Sequence, residues 1–172
     1  MSRTGILAIA SLAMCAAAVG AWQAQPPVSP EGWRTFAGSW SATGSRHALP
    51  TEGDRPAAIV RFSGAVVLTS GEGLGRGFHG EAIGFDDGRS LSVGRAVWTD
   101  ERGDRIYSEL KGEPLQTGRR VVGTVTGGTG RYARLAGDYT FAWQYVVDAE
   151  DGAMQGRTVG LSGRFRFDEV RP

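Results

Sequence analysis

An all-β fold, a single antiparallel β-barrel of about eight strands preceded by a signal peptide, is what this sequence predicts. Three observations point there. Apolar residues recur with period two rather than 3.6. Gly is abundant at 27 and scattered between short apolar runs, as turns joining many strands require. No window after the first residues supports a helix, because glycines interrupt every apolar stretch. Closing such strands into a ring removes exposed sheet edges.

Taken from the N-terminus, MSRTGILAIASLAMCAAAVGAWQAQPP carries one early base, Arg3, and no acid. An apolar run from Ile6 to Val19 and small residues at Ala18, Gly20 and Ala21 follow. That is the layout of a secretory signal. A membrane span wants about 20 apolar residues with flanking anchors. Residues 1–24 are therefore assigned to a signal peptide cleaved between Ala18 and Ala24, which places the protein in the periplasm or outside the cell. Cys15 offers a rival, lipid attachment, for which Met14 is a poor preceding residue. Cleavage removes the only cysteine, so no disulfide or thiol chemistry is expected in the mature domain. It also removes Arg3, taking the net charge from +1 to zero, which argues against nucleic acid as a partner.

Residues 25–32 read as a linker and residues 33–172 as the barrel domain. The expected strands are Thr35–Ser45, Ala57–Ser70, Gly77–Phe85, Ser90–Thr99, Asp104–Gly112, Arg119–Thr126, Gly137–Val147 and Gly156–Phe167. Turn chemistry separates several of them: Asp86-Asp87-Gly88, Glu101-Arg102-Gly103, Thr117-Gly118 and Glu150-Asp151-Gly152. Strict alternation places Tyr139, Phe141, Trp143, Tyr145 and Val147 on one face. In the last strand it groups Val159, Leu161, Phe165 and Phe167, opposed by Thr158, Ser162, Arg164 and Arg166.

Gly127-Gly128-Thr129-Gly130 resembles a phosphate loop at first sight. A Walker loop requires Lys-Ser/Thr after its last glycine and then a helix whose amides face the anion. Here Arg131-Tyr132 follows, and then a β-branched and aromatic run. The glycines are therefore assigned to a tight turn or bulge. No metal and no cofactor are expected: the chain holds only His47 and His79, and Asp100, Glu101 and Asp104 lack the spacing of a calcium loop. No Gly-x-Ser-x-Gly elbow is present.

VTGGTGRYARLAGDYTF resembles the turn motif of the allene oxide cyclase and dirigent barrel superfamily, in which GGTG ends a strand and a further glycine opens the next. Trp98-Thr99-Asp100 to Gly103-Asp104-Arg105-Ile106-Tyr107 is similar to a hairpin of exported bacterial members. The resemblance covers roughly Gly94 to Phe167 and implies an eight-stranded antiparallel barrel, often with an apolar cavity. The superfamily includes cyclases that fold a reactive polyene and proteins that orient coupling radicals. No catalytic residue of either group maps onto this chain. Phe36-Ala37-Gly38-Ser39-Trp40 has a shorter resemblance to the opening strand of lipocalins, fatty-acid-binding proteins and avidins, which adds an apolar small-molecule ligand.

Two function classes follow. One is an exported barrel binding an apolar small molecule or a partner protein, a homo-oligomer included. The other is a cyclase-like enzyme that acts by confining a hydrophobic substrate. Trp98, Trp143 and Tyr145 are the expected ligand contacts, with Tyr107 as a polar handle. Glu109 shares a face with Tyr107. Turned inward it is a buried acid in need of Arg95; turned outward, the preferred reading, it is a surface charge. Either small-molecule role asks for a cavity above roughly 300 Å3; without one both fall, and a filled barrel offers only its outer surface or rim, which favours a partner or oligomer role.

Overall fold

The computed structural model describes residues 32–52, 56–116 and 118–168. The expected signal peptide, with Cys15, and residues 25–31 of the expected linker lie outside them. Eight strands follow one another: β1 Arg34–Leu49, β2 Ala57–Ser70, β3 Gly77–Asp86, β4 Ser92–Asp100, β5 Arg105–Pro114, β6 Arg119–Gly128, β7 Leu135–Asp148 and β8 Ala153–Phe167. Each pairs antiparallel with the next, and β8 returns to β1, so the sheet closes into a barrel without a free edge. A 3-10 turn, Gly130–Tyr132, is the one helical element among the described residues. No described helix is long and apolar enough to cross a membrane.

Alternation builds the core. Inward positions carry Trp40 and Ala42 on β1, Phe62 and Val66 on β2, Phe78 and Ala82 on β3, and Ala96 and Trp98 on β4. From β7 come Tyr139, Phe141 and Trp143, all buried. Fully burying one such ring contributes about 1.5–3 kcal/mol before entropy is counted. Large rings fit inside a ring of eight strands because glycines face them. A Cβ at Gly123 would overlap the Tyr139 ring, and one at Gly156 would overlap the Trp143 indole.

Two expectations from strict alternation are corrected. Val159 is exposed and Thr158 is buried, the reverse of the expected arrangement. The cause is an extra residue on β8. Thr140 pairs with Ser162 but Ala142 with Val159, and Gly160 sits in the left-handed region at φ +66°. The bulge reverses the phase, so Met154 and Thr158 face inward before it and Leu161 and Phe165 after it. It also frees the Trp40 N–H from the β1–β8 ladder, and that N–H donates to Thr158 Oγ1 at 2.8 Å. A threonine is buried there because it satisfies a backbone donor. A second irregularity, between Tyr145 and Val147, turns Val147 outward, away from the face it was expected to share with Tyr145.

Candidate functional site

The two ends of the barrel differ. At the end carrying the β2–β3, β4–β5 and β6–β7 connections, the interior is stoppered. Tyr132 has no exposed surface and packs with its ring tilted against Phe78 at 5.9 Å between ring centres; Phe36 and Phe165 pack nearby at 6.2 Å from each other. Asp100, whose side chain is wholly buried, meets Arg131 at 2.6 Å. It also accepts the backbone N–H groups of Arg102 at 2.8 Å and Asp104 at 3.0 Å. Desolvation pushes the Asp100 carboxyl up, but the donors from Arg102, Arg131 and Asp104 outweigh it, and the net shift is downward.

The GGTG stretch thus ends β6 and starts the turn that brings Arg131 to Asp100. Gly130, at φ +51°, lies so close to the Asp104 carboxylate that a Cβ would overlap it. Carboxylates, not an anion-seeking row of amides, surround this turn. Its work is geometric.

Among the described residues the opposite end, toward the β1–β2, β3–β4, β5–β6 and β7–β8 connections, is an open mouth. One side is aromatic: Trp40 and Trp143 lie 5.2 Å apart between ring centres, and Phe62 lies 4.7 Å from Trp143. The facing wall is small. Register runs inward-facing Gly84 to Gly94, and Asp86 to Ser92 to Gly112, across β3, β4 and β5. Between the two walls lies a recess of about 90 Å3, also lined by Phe141 and Tyr145. It is well short of the expected 300 Å3.

The rim of this recess is polar. Arg119, at the start of β6, forms an ion pair with Asp86, at the end of β3, and both side chains are largely buried. Asp86 Oδ1 also accepts the Gly88 N–H at 2.8 Å. Burial pushes the Tyr145 hydroxyl above the usual phenol range, with Arg119 opposing. A second pair, Arg46 with Asp148 at 2.9 Å, lies at the same end. The indole N–H groups of Trp40 and Trp143 are buried and have no acceptor among the described residues.

The five residues singled out from the sequence do not form one site. Trp143 and Tyr145 line the mouth. Trp98 is buried in the stoppered half, 4.9 Å from Tyr139 between ring centres and edge-on to Phe36. Tyr107 and Glu109 face outward, because Ile106 and Ser108 occupy the inward positions of β5. Glu109 pairs with Arg95 at 2.7 Å on the surface. There it borders an open outer groove of about 510 Å3, formed with Ile59, Ile83, Phe85 and Val93. Arg119 and Asp86 were not singled out, although alternation back from Val121 puts Arg119 on the inner face. An arginine in that position asks for a carboxylate.

Among the described residues no three His, Cys, Asp or Glu side chains gather as a metal site would require. No protein-family model matches the chain, and comparison with the curated proteins finds none similar in sequence. Among solved structures the fold is similar to a pyocyanin demethylase, at 16% identity and a TM-score of 0.45, over 74% of this chain and 98% of the other.

Proposed function

We propose that this protein is an exported, non-enzymatic binding barrel that holds part of an apolar ring of a small molecule at its open mouth. The observation that supports this most is the facing of an aromatic floor by a glycine and serine wall, which leaves a recess between them. A recess of about 90 Å3 is smaller than the roughly 150 Å3 cavity that holds benzene and cannot enclose a whole ligand, so what it offers is a rim site where part of a ring rests and the remainder stays outside. A cyclase-like role, with the whole substrate confined, needs several times that volume and is the less favoured reading. The GGTG turn and its Asp100 partner support kinship with the allene oxide cyclase and dirigent barrels, without their chemistry.

A second reading has its own support. Ile59, Ile83, Phe85 and Val93 form an exposed apolar patch on one outer wall, of the kind that a partner protein or a second copy covers. Native mass spectrometry of protein recovered from the periplasm separates the two. A bound small species that leaves on mild activation supports the mouth; a ligand-free oligomer supports the wall. N-terminal sequencing of the same sample tests export, with a first residue between 19 and 25 as the expected result.

A further inference from the structure

The outer wall across β2 to β5 carries its side chains in two registered rows. The row nearer the mouth runs Ile59, Phe85, Val93, Lys111, and the next runs Arg61, Ile83, Arg95, Glu109. All eight residues are exposed. Of the four central positions, on β3 and β4, three are apolar. The charges beside them are held loosely. Arg61 reaches Glu81 only at 3.9 Å, with its side chain 70% exposed, and the Glu109 pair with Arg95 lies open to water.

Resting on the reading of this wall as a covered surface, we propose that a second copy of the chain covers it, related by a two-fold axis running along the strands between β3 and β4. Such an axis sets each row against itself in reverse order. Phe85 then meets the partner subunit's Val93, and Arg61 meets the partner subunit's Glu109, each contact occurring twice. Ile83 lies under the aliphatic stem of the partner subunit's Arg95, and Ile59 under that of the partner subunit's Lys111, so both cations keep their charged ends in water. Among these residues no like charges are opposed. The outermost contacts use long side chains, as two convex walls require where they curve apart. An axis across the strands would instead bring Asp87, next outward on β3 after Phe85, toward the partner subunit's Glu81, like against like. The occupant is a second copy because this wall supplies both halves of every match.

The test is sedimentation of the whole protein over micromolar concentrations, with melting temperature as the check on folding. The parent protein should dimerise. Phe85→Ser should weaken the dimer about tenfold or more. Arg61→Glu or Glu109→Arg alone should do the same, because each reversal sets like charges together twice. The double variant should recover most of the lost affinity. Within one chain the two residues lie three strand spacings apart, about 14 Å, so recovery can come only from a contact between copies. A monomer at every concentration overturns the inference and leaves the wall to a different protein. A dimer that Phe85→Ser breaks, but that the double variant does not recover, overturns the two-fold and keeps the wall reading. A dimer indifferent to Phe85→Ser removes the wall reading and the inference together.

Discussion

Asp100 and Arg131 meet at 2.6 Å beneath the stoppered end, joining the β4–β5 hairpin to the turn between β6 and β7. The carboxylate also ties down two backbone N–H groups of its own hairpin. Removing it leaves those donors and a guanidinium without their partner. Asp100→Ala is expected to cost about 2–4 kcal/mol. Arg131→Met should cost less, since the Asp100 carboxylate keeps its backbone donors and Arg131 is one-third exposed. Urea denaturation of both variants checks the order.

The same carboxylate makes stability depend on acid. Its folded pKa lies below the ordinary 3.8, so the folded state holds the ionised form more tightly than the unfolded chain does. Its contribution is therefore complete above pH 4 and is lost as pH falls through the lower folded value. Asp100→Asn should show a flatter fall in stability below pH 4 than the parent protein, measured as melting temperature against pH.

At the alkaline end the sign reverses. Burial pushes the Tyr139 hydroxyl up to about 12, with Ser108 pulling the other way, so the folded state favours the neutral phenol. That contribution is present below pH 10 and is lost between about 10 and 12. Tyr132 and Tyr145 are shifted in the same direction and add to the slope. Tyr139→Phe should remove part of the alkaline destabilisation. Melting temperatures from pH 8 to 11.5 give the comparison.

How far the residues disclosed this arrangement depends on which force placed each one. Strand positions and barrel closure were legible, because period two and turn residues are local signals; expected and observed strand bounds differ by at most four residues. Faces were legible only up to a bulge. Gly160 looked like any strand glycine, yet its left-handed backbone adds one residue and turns Val159 out and Thr158 in. The candidate site was half legible. Trp143 and Tyr145 follow from alternation, whereas Asp86 looked like the start of an Asp-Asp-Gly turn, and its pairing with Arg119 is a long-range fact about the barrel. Tyr107 was grouped with Trp98 as a polar handle, and the pleat puts it on the outer side of the wall, beside Glu109, which lies outward as its preferred reading had it.

Gly160 itself gives a test that separates strain from crowding. A Cβ there meets nothing within 4 Å, so the cost of substitution is conformational alone. Gly160→Ala should lose about 1–2 kcal/mol, and Gly160→Asn clearly less, because asparagine tolerates the left-handed region. Gly156→Ala should cost more than Gly160→Ala, since its Cβ runs into the Trp143 ring and the Gln144 carbonyl. Chemical denaturation of the three variants ranks them.

Ser92 tests the mouth directly. It sits on the small wall beside Gly112, facing the recess and half-buried. Ser92→Leu should fill the space that a ring would occupy while changing stability by less than about 1 kcal/mol, because apolar burial offsets the tighter packing. If the mouth seats a ring, benzyl alcohol will no longer perturb the fluorescence of Trp40 and Trp143 in this variant. An unaltered titration would mean that the probe binds elsewhere, with the outer groove around Phe85 and Val93 as the place to look next, through Phe85→Ser.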